Sequence, residues 1–171
     1  KMLSKIIQNN CKNMILERKY KYIKEEDNIM LFSKDDKSFI CLFLIMFDKL
    51  DVSNVKNIIN TLNNKNLNHA IIIYKTDTTS YAKKIINNIK KEFEIETFFE
   101  KNLLYDITKH RLVPKHIELS NEESKKFIKD YGKKFPVILK TDPICKYYNF
   151  KKGNIIKIIR NNNYIIYRIV K

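Results

Sequence analysis

Histidines and cysteines are the side chains of this 171-residue chain that could bind a metal ion or act as a base. His110 and His116 have no cysteine, third histidine or carboxylate cluster at the spacing that zinc sites use. Cys11, Cys41 and Cys145 lie far apart among apolar neighbours and form no C-x-x-C pair. The sequence therefore predicts structural or interface histidines, core thiols, no metal site, no cofactor and no catalytic residue.

A polar segment is the strongest candidate for binding phosphate. Lys75-Thr-Asp-Thr-Thr-Ser80 joins a predicted strand to a predicted helix, whose N-terminal N–H groups and dipole favour an anion. The predicted contact residues are Lys75, Thr78, Thr79, Ser80, Lys83 and Lys84. The alternative is that a hydroxyl residue only caps the helix and the lysines are solvated, and Asp77 opposes tight anion binding.

Composition narrows the possible functions. The net charge is +15, but only four of the 34 basic residues are arginine, so an AT-rich coding bias explains the charge as well as a nucleic-acid ligand does. Glycine occurs only at Gly132 and Gly153, which excludes a Walker A loop and a G-x-G-x-x-G nucleotide turn. We expect no small-molecule ligand.

Hydrophobic patterning predicts neither a membrane span nor an export signal. The longest apolar run covers nine residues, 39–47, which is too short for a spanning helix. Residues 1–10 contain no apolar segment of signal-peptide length. The expected location is intracellular, with no membrane partner.

A change in composition divides the chain near residue 105. All five Gly and Pro residues lie at or after Pro114, and the net charge is +5 over 1–105 and +10 over 106–171. We therefore predict two domains with these bounds. The first reads as an α/β sandwich with helices at 6–20, 52–62 and 81–93 and strands at 39–47, 70–74 and 95–99, with Tyr81 on a core-facing helix side.

The second segment reads as a small α+β domain with an antiparallel or mixed sheet. A capping box at Ser120 and Glu123 opens a helix that ends at Gly132. Asp142 and Pro143 begin a short helix. Strands are predicted at 136–139, 155–160 and 164–170, the last two joined by a turn at Asn161–Asn163.

Four strings in this second segment carry a family resemblance: Leu112-Val-Pro-Lys-His116, Thr141-Asp-Pro143, Lys151-Lys-Gly153 with the following Ile155-Ile-Lys-Ile-Ile-Arg160, and Tyr167-Arg-Ile-Val170. In this order they resemble the C-terminal domain of the fifth subunit shared by the three eukaryotic nuclear RNA polymerases, and its archaeal counterpart. Asn68–Ile73, Thr79–Ala82 and Ile107–His110 are similar to the eukaryotic N-terminal half. This chain has Ser80 where that family usually has proline, and Val137 where it usually has arginine.

The resemblance implies a non-catalytic subunit of DNA-directed RNA polymerase that acts in transcription. It implies a jaw-like N-terminal domain of restriction-nuclease-like fold beside downstream duplex DNA, and a C-terminal domain docked on the largest subunit among the other polymerase subunits. The implied location is the nucleus, or a viral factory or virion if the chain is a viral member. The implied docking residues are Lys115, His116, Asp142, Pro143, Tyr147, Gly153, Tyr167 and Arg168.

Two other functions remain open at this point. A nuclease would need an acidic residue on one strand and Asp/Glu-x-Lys on the next. At Lys75 the acidic position of that motif is occupied by the apolar Ile73, and Glu94-Ile-Glu96 has no lysine at the required offset. A free-standing basic nucleic-acid-binding protein would use a lysine stripe, which also fits a solvated face. The stripe comprises Lys133, Lys134, Lys140, Lys146, Lys151, Lys152 and Lys157.

Overall fold

A computed structural model of the chain describes residues 2–35, 37–132, 134–160 and 164–171. The chain divides into two compact units, Lys1–Tyr105 and Asp106–Lys171, and each contains one sheet. None of the helices within the described ranges is long and apolar enough to cross a membrane.

Five strands form one mixed sheet in the first unit. They are β1 (Lys21–Glu26), β2 (Ile29–Ser33), β3 (Phe39–Leu50), β4 (His69–Thr78) and β5 (Glu94–Phe99), and they lie side by side in that order. The first three pair antiparallel, whereas β3, β4 and β5 run parallel. Parallel neighbours require crossover connections, and the helices predicted between them supply these. The α/β prediction holds for that half of the sheet only.

Three helices accompany this sheet: α1 (Lys5–Glu17), α2 (Val52–Asn64) and α3 (Ser80–Asn88). Each begins after a residue whose side chain accepts a hydrogen bond from a backbone N–H of the first turn. Those caps are Ser4, Asp51 and Thr79.

The helices lie on opposite faces of the sheet. Cys41 pairs with Ala70, and both belong to the core cluster that contains the buried residues of α2 and α3. Leu42 pairs with Ile71, which pairs with Glu96, so these three residues share the other face. Arg18, directly after α1, reaches Glu96 from that side. The result is a sheet buried on both faces at β3 and β4, as their continuous apolar runs predict.

The hairpin of β1 and β2 was not predicted from the sequence. Its two-residue turn consists of Asp27 and Asn28, at φ 51° and 59°, which is the conformation of a type I′ turn. The usual signal for that turn is Asn-Gly or Asp-Gly, which the chain lacks here. All residues of β1 are exposed, so this strand also shows no buried alternation.

Two further expectations in the first unit are wrong. Residues 75–78 continue β4 instead of forming a turn, because β3 also extends to Leu50 and pairs with Thr78 there. In these extensions Asp48, Lys49 and residues 75–77 are polar and exposed, whereas the final pair, Leu50 and Thr78, is buried. Tyr81 is 72% exposed, because α3 buries Ala82 and Ile86 and Tyr81 lies beside that stripe.

Four strands form the sheet of the second unit: β6 (Lys115–Glu118), β7 (Val137–Ile138), β8 (Ile155–Ile159) and β9 (Ile165–Val170). Their order is β6-β8-β9-β7, with β7 parallel to β9 and the other pairs antiparallel. The strand β7 and the hairpin of β8 and β9 confirm the sequence prediction, whereas β6 was not predicted. Lys133 and the turn predicted at Asn161–Asn163 lie outside the described residues.

Both predicted helices of the second unit are confirmed, α4 (Asn121–Tyr131) and α5 (Pro143–Tyr148). The capping box at the start of α4 has both of its hydrogen bonds. Gly132 ends this helix at φ 80°, where a side chain would be strained. Both units thus combine helices with a mixed sheet.

Cross-strand pairing defines two faces of the second sheet. The α5 face carries His116, Ile156, Ile158, Ile166 and Arg168, and its core includes Ile144 and Cys145 of α5. The α4 face carries Lys115, Ile117, Lys157, Ile159, Ile165 and Tyr167. The ring of Phe127 in α4 lies 4.3 Å from the ring of Tyr167, centroid to centroid, which places α4 over this second face.

Candidate functional site

The end of β4 and the start of α3 form the predicted phosphate-binding corner, defined here as residues 75–84. Thr79 caps the helix by accepting a hydrogen bond from the Ala82 N–H at 3.2 Å. Its own N–H donates to the Leu50 carbonyl at 3.0 Å, which ties the helix start to the end of β3. The side chain of Thr79 thus fixes the corner to α3, and its backbone fixes it to β3.

The corner presents four of its predicted contact residues to solvent. Lys75, Ser80, Lys83 and Lys84 are exposed and Thr79 is half-buried. Thr78 is only 3% exposed, so a phosphate cannot reach its hydroxyl. The prediction of Thr78 as a phosphate contact is therefore wrong.

Electrostatics at the corner combine three lysines with one carboxylate. Asp77 Oδ1 accepts from the Thr78 N–H at 2.6 Å and lies 3.5 Å from Lys83 Nζ. The backbone hydrogen bond from Thr78 lowers the pKa of Asp77, and the charge of Lys83 adds to that effect. Lys84 Nζ lies 5.8 Å from the ring centroid of the exposed Tyr81. Tyr81 is a surface residue that the sequence pattern had assigned to the core.

The predicted docking residues of the second unit fall on both faces of its sheet. His116 and Arg168 lie on the α5 face, whereas Lys115 and Tyr167 lie on the α4 face. The two pairs therefore cannot contact one flat partner surface together, because neighbours in a strand point to opposite sides.

The residues on the α5 face have internal partners. The Pro114 carbonyl oxygen lies 2.8 Å from His116 Nδ1, and Arg168 Nη1 donates to the Val137 carbonyl at 2.8 Å. Asp142 Oδ1 accepts from the Ile144 N–H at 2.8 Å as the cap of α5. Burial lowers the pKa of His116, while Asp142 opposes this shift and Arg168 adds to it. These contacts assign structural roles to His116, Asp142 and Arg168.

Two other docking candidates, Tyr147 and Gly153, also hold the fold, whereas Pro143 remains accessible. Tyr147 is only 6% exposed and packs edge to face on Tyr148, so its side chain offers little area to a partner. Gly153 has φ 93°, the left-handed region that its turn requires, and its N–H donates to the Val170 carbonyl. Pro143 is exposed at the first position of α5.

A buried ionic network in the first unit was not predicted from the sequence. Arg18 donates two hydrogen bonds to the carboxylate of Glu96, at 2.7 and 2.9 Å, and His69 Nε2 lies 2.7 Å from Oε1 of that carboxylate. Burial alone raises the pKa of Glu96, but Arg18 and His69 outweigh it and lower the pKa to about 2. The parallel pairing of β4 and β5 brings His69 next to Glu96, and Arg18 reaches Glu96 from the end of α1, 78 positions away along the chain.

Two residues of this network belong to a group of side chains whose atoms could bind a metal ion. Glu94 joins His69 and Glu96, with potential ligand atoms within 4.8 Å of one another. However, the Arg18 guanidinium contacts both oxygens of Glu96, so a cation would have to displace a charged, bidentate partner. The geometry fits an internal ion pair better than a catalytic metal centre.

Both units are similar in sequence to known proteins. Residues 105–170 match the family model described as RNA polymerase Rpb5, C-terminal domain. The chain is 31% identical over 159 residues to the DNA-directed RNA polymerases I, II, and III subunit rpabc1 of Dictyostelium discoideum, covering 86% of this chain and 81% of the relative. This chain belongs to the Rpb5 family.

Two nematode relatives extend the comparison. The subunits RPABC1 of DNA-directed RNA polymerases I, II, and III from Caenorhabditis elegans and Caenorhabditis briggsae are each 33% identical over 129 residues, which is 71% of this chain. This Rpb5 family member spans 61% of the length of those two proteins. The family resemblance drawn from the four C-terminal strings is confirmed.

The three relatives are named as subunits of DNA-directed RNA polymerases I, II, and III.

Proposed function

We propose that this chain is a non-catalytic subunit of a multisubunit DNA-directed RNA polymerase and acts in transcription. The match to the Dictyostelium subunit carries this proposal, because it extends over both units of the chain. The contribution of the subunit is architectural: it binds other polymerase subunits and positions nucleic acid without performing chemistry. It acts where the polymerase acts, in the nucleus; the relatives come from cellular eukaryotes and give the viral location no support.

Residues 106–171 form the assembly domain in this proposal, and its partner is the largest polymerase subunit. The exposed family-matching residues Lys115 and Pro143 and the half-buried Tyr167 are the docking candidates that retain accessible surface. His116, Asp142, Tyr147, Gly153 and Arg168 support docking indirectly, by holding the strands and α5 in place.

Residues 1–105 form the jaw-like domain in this proposal, with a restriction-nuclease-like fold and no active site. Its mixed sheet with helices on both faces supports that assignment. The corner faces downstream duplex DNA and contacts the phosphate backbone through Lys75, Lys83 and Lys84, with Thr79 and Ser80 at the helix start. Contacts of this kind position a duplex without reading its sequence.

Affinity purification tests the assignment as a subunit. The full chain carrying a tag is expressed in cells that contain the corresponding polymerase, and the bound proteins are identified by mass spectrometry. We expect the large polymerase subunits in equal amounts with the tagged chain, retained at high salt because apolar contacts are screened little. Recovery of the chain alone, with DNA bound directly to it, would contradict the proposal.

A pair of matched variants tests the DNA contact within the purified polymerase. Lys83→Ala/Lys84→Ala removes two charges at the corner, and Lys90→Ala/Lys91→Ala removes two exposed charges beyond the end of α3. With a downstream duplex as probe, we expect the first variant alone to reduce the slope of log affinity against log salt, by about one for each phosphate that is no longer neutralised. Equal slopes for both variants would exclude the corner as the DNA contact.

A further inference from the structure

The α4 face of the second sheet is only partly covered. In α4, no described residue is buried, and its contact with the sheet centres on the ring of Phe127 against Tyr167. Tyr131, one turn further along α4, is 73% exposed, although its ring lies 4.8 Å from that of Phe127. A helix held this way leaves part of an apolar sheet face in contact with water.

Two rows of this face retain accessible surface: Lys115 and Ile165 are exposed, and Ile117, Lys157, Ile159 and Tyr167 are half-buried, although α4 packs against Tyr167. In one cross-strand row Lys115 pairs with Ile159, which pairs with Ile165, and Ile165 is 42% exposed. In the next row Ile117 pairs with Lys157, which pairs with Tyr167. Isoleucines and the tyrosine therefore alternate with two lysines over about two rows of sheet. We call this surface, formed by Ile117, Ile159, Ile165, Tyr167, Lys115 and Lys157, the isoleucine–lysine patch.

The charge on the patch restricts its occupant. Both charged residues that the two rows contribute are lysines. Facing them from α4 is Glu123, which feels the charge of Lys157 but is itself bonded to the Ser120 N–H at 2.8 Å as part of the capping box. The patch is thus apolar and positive, and the Glu123 carboxylate is engaged elsewhere. An occupant needs apolar side chains for the isoleucines and carboxylates for the lysines.

We propose that the isoleucine–lysine patch binds an apolar segment flanked by acidic residues in the largest polymerase subunit. This inference rests on the proposed function, and it assigns docking to the α4 face and not to the α5 face. The two lysines would repel a basic segment, and the apolar area favours a protein over a bare phosphate backbone. Lys115 and Tyr167 belong to the predicted docking residues, whereas Ile117, Ile159, Ile165 and Lys157 are additions from the structure.

Charge reversal tests the patch in the purified complex. We expect Lys115→Glu/Lys157→Glu in the tagged full chain to reduce recovery of the largest subunit by about tenfold or more. The control is Lys152→Glu, an exposed lysine in the turn before β8, at the opposite end of that strand from Ile159. Circular dichroism of each purified variant verifies that it is folded. The inference would be overturned if Lys152→Glu also reduced recovery of the largest subunit, or if the double variant recovered that subunit fully.

Site-specific photo-crosslinking identifies the occupant and separates this inference from the proposed function. A photoreactive amino acid replaces Ile165 in the tagged full chain, and a second version carries it at Lys152. We expect Ile165 alone to crosslink to a segment of the largest subunit with acidic residues on either side of apolar ones. If polymerase subunits are recovered but the crosslink reaches a basic segment, DNA or a second copy of this chain, the inference fails and the proposed function stands. If no polymerase subunit is recovered, both fail.

Discussion

Replacing Arg18 by methionine tests the buried ionic network directly. The Arg18 and Glu96 side chains are only 4% and 11% exposed, so Arg18→Met leaves a carboxylate in a site with little water. The difference between the pKa of about 2 and the ordinary 4.5 of Glu96 corresponds to roughly 3 kcal/mol. We therefore expect the free energy of unfolding of the first unit to fall by about 3 kcal/mol at pH 7, within the range for an uncompensated buried charge.

The direction of the Glu96 pKa shift determines how the stability of the first unit changes with pH. Because folding lowers the pKa of Glu96, the stabilisation is fully present above pH 4.5 and is lost as the pH falls toward 2. The loss should be smaller in Arg18→Met, whose Glu96 no longer has the guanidinium that lowers its pKa. Combining Arg18→Met with Glu96→Gln should destabilise the unit by less than the two single changes together, because they remove one interaction.

Urea denaturation with hydrogen exchange by mass spectrometry measures this effect in the full chain. Peptides covering β5 report on the network, and peptides covering β8 and β9 report on the second unit. The matched control is Lys24→Met, which removes an exposed lysine from a surface pair with Glu26 and should leave the exchange of β5 unchanged. A loss below about 1 kcal/mol for Arg18→Met, or an effect equal to that of the control, would refute the reasoning.

Other structural features lead to further predictions. Ser120→Ala removes the acceptor of the capping box and should destabilise α4 by about 1 kcal/mol, measured as faster amide exchange in that helix; unchanged exchange would contradict the role of the cap. Asn28→Gly should stabilise the β1–β2 hairpin by a few tenths of a kcal/mol in thermal denaturation, since φ is 59° there, and a lowered midpoint would argue against the left-handed turn. Burial raises the pKa of Cys11 and Cys41 to about 12 and that of Cys145 to about 11, so a thiol reagent at pH 8 should label the folded chain far more slowly than the urea-unfolded chain, and equal rates would exclude buried thiols.

Local signals in the sequence were sufficient for most helices and central strands. The capping box at Ser120, the Asp142-Pro143 helix start and the continuous apolar runs of β3 and β4 each depend on neighbouring residues, and each was predicted from them. The edge strands β1 and β6 were not, because a solvated edge strand has neither buried alternation nor a continuous apolar run. β4 is a central strand, but residues 75–77 at its end are polar and exposed, so they too lack an apolar pattern and were mistaken for a turn.

The candidate sites could not be located from neighbouring residues alone, because they depend on burial and on contacts between distant parts of the chain. Residue type placed Thr78 among the phosphate contacts and the family resemblance placed Tyr147 among the docking residues, and only their burial argues against direct contact. The family strings named Lys115 and His116 together, but strand alternation separates their side chains onto opposite faces. No spacing rule could pair Arg18 with Glu96, because that contact joins the end of α1 to β5 across 78 positions of the chain.

The left-handed turns of this glycine-poor chain have a consequence for its chemical ageing. Asparagine occupies three of these positions, Asn28, Asn66 and Asn149, and each precedes a bulky residue, isoleucine, leucine or phenylalanine. Deamidation begins when the next backbone nitrogen attacks the side-chain amide, and a bulky following side chain hinders that attack. The Asn28→Gly change would place Asp27 before a glycine, the sequence at which aspartate isomerises most readily. The Asn28→Gly variant would therefore have a tighter turn, but Asp27 would isomerise faster during long storage.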